Sequence, residues 1–177
     1  ALDVELENQV RFIWFGAEES GLVGSQFYVD SLTARETKDI AVMLNFDMIA
    51  SPNAGWFVYD GDASDTASTG STGSGVVEDV FVDYFESIGR VTKPTAFDGR
   101  SDYDAFVAAG IPAGGLFTGA EDIKTADEVV LWGGEAGVAY DPCYHAACDT
   151  IDNVNLVALD EMSDALAHAL LTFAMST

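Results

Sequence analysis

The chain has 177 residues, enough for one domain with a substantial core, and its 30 Asp and Glu against 7 Lys and Arg leave a formal charge of −23. A surface that acidic repels nucleic-acid phosphates and anionic membranes, so neither is an expected partner. With 49% hydrophobic and 11% aromatic residues, the chain is also too apolar for a disordered acidic tail.

No apolar run reaches the roughly 18–20 residues of a membrane span. The start, ALDVELENQV, lacks the basic-then-apolar order of an export leader and runs directly into a strand pattern, so residues are expected upstream of it. Residues 10–16, VRFIWFG, form an almost continuous apolar run that predicts a buried strand. An amphipathic helix is expected from Ser20 or Gly21, with Leu22, Phe27, Val29 and Leu32 on its apolar face. IAVMLNFDMI at 40–49 predicts a second strand ending at Asp47, and GWFVYD at 55–60 a third. Residues 61–75, rich in Gly, Ser, Thr and Asp, read as a flexible surface loop.

Helical spacing returns over 76–88 with Val76, Val77, Val80, Phe81, Tyr84, Phe85 and Ile88. A turn at FDGRSD, a short helix in DYDAFVAAG, a strand in IPAGGLFTG and a helix in TADEVVLW follow. A loop then reaches His145, and a last helix over 156–174 carries Leu159, Met162, Leu166, Leu170 and Phe173 as its apolar stripe. Strands alternating with helices predict a single α/β domain over 1–177, a three-layer sandwich with a mixed, mostly parallel central sheet. No internal repeat is visible.

In open α/β sheets ligands bind beyond the carboxyl ends of the strands. Glu18 and Glu19 after the first strand, Asp47 after the second, and His145 in the last loop fall at such places. Zinc takes imidazole nitrogen and carboxylate oxygen, and a neighbouring carboxylate outside the coordination shell can accept a proton from metal-activated water. Solvated carboxylates are the competing account in so acidic a chain. His168, on the last helix, reads as structural or solvated. Arg100, one of few cations, stands among Asp98, Asp102 and Asp104, where it is either a local ion-pair partner or a donor to a substrate carbonyl or carboxylate. Asp160 and Asp164 repel at i,i+4, which plain solvation or a hard cation such as calcium would relieve. Cys143 and Cys148 flank His145 and are either two free thiols or a disulfide closing a small loop, the latter implying an oxidising compartment.

FIWFGAEESGLVGSQFYV, LNFDMIASPN, FDGRSDYDAF, GIPAGGLFTGAE and YDPCYHAACDTIDN, in this order, resemble the co-catalytic dizinc aminopeptidases, most closely the secreted bacterial streptomycete type. The resemblance implies a zinc-peptidase fold and hydrolysis of apolar N-terminal residues from peptides. It implies Glu18 as the general base, Glu19 and His145 as ligands of one zinc, and Asp47 as a ligand of the other. It implies Tyr144 as the group polarising the scissile carbonyl, Arg100 as a substrate or carboxylate contact, and Met48, Gly99 and Phe117 as the lining of an apolar side-chain pocket. It further implies a Cys143–Cys148 disulfide, calcium at Asp160 and Asp164, secretion and a monomer.

The chain also departs from that pattern. The family carries a histidine ligand and a metal-bridging aspartate upstream of the paired glutamates, and nothing before Val10 supplies either. The chain is therefore expected to be the C-terminal part of such a domain with N-terminal strands missing, impaired or inactive when isolated, and without a dizinc centre of its own. A non-catalytic binding module on the peptidase fold is the alternative. A carboxylate-pair glycosidase is disfavoured, because adjacent glutamates diverge rather than flank one bond.

Overall fold

The computed structural model describes residues 5–176. The first four residues, ALDV, read above for a leader, lie outside them, as does residue 177. Four short strands form one sheet: β1 (Met43–Phe46), β2 (Phe57–Tyr59), β3 (Lys93–Thr95) and β4 (Ala113–Phe117), in the order β1-β4-β2-β3. β1 is parallel to β4 and β2 to β3, while β2 runs antiparallel to β4. Side chains alternate between the two faces of a pleated strand, so Val58 and Tyr59 enter different cores.

Helices cover both faces, which is the expected α/β sandwich with a mixed, mostly parallel sheet. On one face lies α3 (Ser74–Ser87), whose Val77, Phe81 and Phe85 repeat every four residues and are buried against Val58 and Leu116. Gly114 on β4 permits this approach, since a Cβ there would stand 2.4 Å from Cγ1 of Val77. α6 (Leu156–Met175) packs on α3. The expected leucine stripe is only partly covered; the fully buried positions are Ala158, Met162, Ala165 and Ala169, because small side chains let the two helices close together. On the other face, Tyr103 and Val107 at α4 (Asp104–Ala108) pack with Tyr59, Phe97 and Ala113. α5 (Ala126–Trp132) inserts Trp132 beside Trp56 and Phe57. Among the described residues, no helix is long and apolar enough to cross a membrane.

One strand expectation fails. Residues 10–16 belong to no ladder, and Phe12 and Trp14 stand 63% and 87% exposed. A strand is stabilised by a neighbour's hydrogen bonds; among the described residues nothing pairs with the outer edge of β1, and Phe15 packs against Tyr28 and Phe106 instead. The next helix begins later than expected, as α1 (Val23–Ser31), and its Phe27 faces solvent.

The structure adds a helix and a strand to the elements expected from the sequence. α2 (Ala34–Asp39) carries a full capping box, in which Thr33 Oγ1 accepts from the Glu36 N–H and the Glu36 carboxylate accepts from the Thr33 N–H. β3 is three residues long and contains Pro94, tolerated because β3 is the sheet's edge. Residues 61–75 are tied to the sheet by Asp60, whose buried carboxylate accepts the backbone N–H groups of Ser64, Asp65 and Thr66.

Candidate metal centre and its substrate side

Glu18 opens a single 3-10 turn, Glu18–Ser20, after the unpaired 10–16 segment. Asp47 leaves the carboxyl end of β1, and Tyr144 and His145 lie in the loop before α6. The fold brings these distant segments together. His145 Nε2 stands 2.7 Å from Oε1 of Glu19, 126 residues away in sequence. The Tyr144 and His145 rings stack with centroids 4.0 Å apart.

Asp47 is held by a relay that sequence reading missed. Buried Asn45 on β1 donates to Ser101 Oγ at 2.9 Å, and Ser101 donates to Asp47 Oδ2 at 2.6 Å. Asn45 sits two residues before Asp47 and Ser101 two after Gly99, but only the folded register reveals their pairing. Burial raises the Glu18 carboxyl above the ordinary range, and Asp47, Glu19 and Asp102 add to that rise while His145 opposes it. Burial raises the Asp102 carboxyl, the Ser25 hydroxyl opposes that rise and Asp47 adds to it, and the buried Oδ1 has no hydrogen-bond partner.

Arg100 does not pair with the acidic neighbours the sequence suggested. Its backbone N–H reaches Asp98, but its guanidinium Nη2 donates to Glu121 Oε1 at 2.9 Å and toward the Tyr144 hydroxyl at 3.4 Å. These two contacts, Tyr144 first, raise the Arg100 pKa, so it remains a cation. Glu121 is held below the usual carboxylate range by its own backbone N–H, then by Arg100 and His145.

Gly99 adopts φ +80° and donates its N–H to the Tyr103 hydroxyl, and Phe117 lies half-buried on β4 against Phe57. Met48 follows Asp47 in a left-handed conformation, φ 48°. Its carbonyl accepts from both the N–H and the hydroxyl of buried Thr118.

The loop bearing Tyr144 and His145 is braced twice. Cys143 and Cys148 form a disulfide with Cα atoms 5.3 Å apart. Buried Asp141 accepts from the Cys143 N–H and from Asn153 Nδ2, each at 2.9 Å.

The donor chemistry fits zinc: imidazole nitrogen beside a carboxylate at His145 and Glu19, and a second oriented carboxylate at Asp47. The partnerless Oδ1 of Asp102 beside Asp47 marks a local excess of negative charge that a cation would relieve. Glu19, Asp47 and His145 do not converge on one point. Among the described residues the group whose ligand atoms all lie within 4.8 Å of one another is Asp60, Asp62 and Glu78, and antiparallel β2 puts it at the opposite end of the sheet from Asp47. Asp160 and Asp164 are exposed on α6, where with Glu161 they add to the burial that raises the Tyr84 hydroxyl pKa.

Comparison with known proteins finds aminopeptidases among those similar to this chain. The chain is 51% identical over 172 residues to a leucine aminopeptidase 2 of Trichophyton equinum, covering 97% of this chain and 35% of that protein. It is 51% identical over 170 residues to an aminopeptidase of Pseudomonas aeruginosa, covering 96% of this chain and 32% of the relative. A zinc aminopeptidase structure from Bacillus subtilis superposes with a TM-score of 0.74 at 26% identity, over 98% of this chain and 38% of that one. The chain thus spans about a third of the length of these relatives. Residues 2–170 match one family throughout, and the chain belongs to peptidase family M28.

Proposed function

We propose that this chain is the part of a zinc aminopeptidase that carries the general base, three metal-holding side chains and the substrate side of the site. The observation that carries the reading is the 2.7 Å approach of His145 to Glu19, with Asp47, Tyr144 and Arg100 arranged around the same region. Glu19 and His145 would hold one zinc and Asp47 a second, two in a complete domain. Zinc bound there supplies Lewis acidity that acidifies water and polarises a carbonyl.

The chain's own groups do the rest. Glu18 accepts a proton from the attacking water and returns it to the leaving amine. The Tyr144 hydroxyl donates to the oxygen that gains negative charge as the carbonyl is attacked. Because Arg100 donates to the Tyr144 oxygen, the phenolic proton is left free for the substrate. Met48, Gly99 and Phe117 line the pocket for an apolar first side chain, so peptides with apolar N-terminal residues are the substrates.

Calcium at Asp160 and Asp164, a monomeric state and secretion complete the proposal. The Cys143–Cys148 bond and the acidic surface support an extracellular setting. The test is leucyl-p-nitroanilide hydrolysis by the complete gene product. Glu18→Gln is expected to lower kcat by about 10²–10⁴-fold, the scale of a lost general base, and His145→Ala to lower bound zinc as well. Full activity in Glu18→Gln refutes the mechanism.

A further inference from the structure

Glu121 has no part in the mechanism above, yet it occupies the cation of the site. It follows β4 through Thr118, Gly119 and Ala120, and its carboxylate and Arg100 are 49% and 54% exposed. Arg100 Nη2 spends one hydrogen on Glu121 and points the other toward Tyr144. The neighbouring carboxylate of Asp98 is engaged by the Arg100 backbone N–H and not by its side chain, so without Glu121 the bare guanidinium would be the obvious anchor for an anionic group on a substrate.

We infer that Glu121 is a specificity-determining residue: by neutralising Arg100 it selects against substrates whose free α-carboxylate lies one residue beyond the scissile bond, that is, against dipeptides. This rests on the aminopeptidase reading. Tyr144 at the scissile carbonyl sets Arg100 within about one residue length, roughly 3.8 Å, of where that carboxylate falls. Longer peptides place an uncharged amide at the same point and do not meet the penalty.

The test uses the complete gene product and a matched pair of substrates, leucylglycine and leucylglycinamide, which differ at that position only in charge. Glu121→Gln keeps the size and hydrogen-bonding capacity of the side chain and removes its charge. The ratio of kcat/KM for leucylglycine over leucylglycinamide is expected to rise about three- to tenfold, the scale of one charge at 5–8 Å in a solvated site. The gain should lie in the KM of leucylglycine and shrink as salt is raised. Glu121→Lys should move the ratio further in the same direction.

Because both substrates are measured on one preparation, a loss of folded protein cancels from the ratio. An unchanged ratio in both variants, with wild-type enzyme active on both substrates, overturns this inference alone. A proportional fall on both substrates assigns Glu121 a merely structural role and also overturns it. Wild-type protein that releases leucine from neither substrate overturns the aminopeptidase reading, and this inference with it.

Discussion

Glu128 offers the sharpest test of how the fold is held. It lies on α5, 8% exposed, and accepts from the Thr125 N–H and hydroxyl at 2.8 Å each and from Lys93 Nζ at 3.0 Å. Burial alone would raise its pKa. The hydrogen bonds from the Thr125 backbone, the Tyr140 hydroxyl, the Thr125 hydroxyl and Lys93 outweigh burial and bring it from 4.5 to about 2. At 1.36 kcal/mol per pH unit this difference corresponds to about 3 kcal/mol. Lys93 is 38% exposed, so solvent screens its share and about 2 kcal/mol is the better expectation.

The sign follows from the lowered value. The contribution is fully present above pH 4.5 and is lost as the pH falls from 4.5 toward 2. Glu128→Gln should therefore cost about 2 kcal/mol at pH 7 and progressively less below pH 4.5, read by urea unfolding with tryptophan fluorescence at several pH values. A cost that stays constant from pH 7 to pH 3 would refute the charge-based account and leave packing as the cause.

Three further outcomes are expected. Cys143→Ser with Cys148→Ser should lower stability by about 2 kcal/mol, the loop-closure value for a sequence separation of 5, and should depress activity beyond that loss by freeing Tyr144 and His145. Gly114→Ala should destabilise by about 1–3 kcal/mol in thermal unfolding, since its Cβ would stand 2.4 Å from Val77 on α3. Calorimetric zinc titration of the 177-residue chain should not show two tight sites, because Glu19 and His145 supply two ligands and Asp47 one, against the three protein ligands common in catalytic zinc sites.

What the sequence discloses depends on the range of the interaction involved. α3 is legible because Val77, Phe81 and Phe85 follow a four-residue period that burial alone explains. The capping box of α2 is equally local, resting on Thr33 and Glu36 three residues apart in the sequence. β3 is too short for a pattern, and VRFIWFG has the composition of a strand without, among the described residues, a partner to complete its ladder. The site divides in the same way. Glu18, Glu19, Asp47 and His145 can be picked out as metal-ligand types at strand ends and in a loop, whereas the Asn45–Ser101–Asp47 relay and the Arg100–Glu121 pair exist only through the packing of the loops after β1, β3 and β4.

The backbone connects these two levels. Left-handed conformations are costly for residues with a side chain, roughly 1–2 kcal/mol each. Three such residues adjoin the site: Ala17 before Glu18, Met48 after Asp47, and His145 itself, with φ of 58°, 48° and 54°. Each is fixed by a specific bond. The Ala17 carbonyl accepts from Ser20 and Val23, the Met48 carbonyl from Thr118, and the turn at His145 is closed by the Ala146 N–H on the Cys143 carbonyl, inside the disulfide loop. Strain of this kind persists only where the surroundings over-determine it. Thr118 does so from the end of β4 and the disulfide from the other side of the site. The pairing of β1 with β4 thus sets both the register of the sheet and the direction in which Asp47 points.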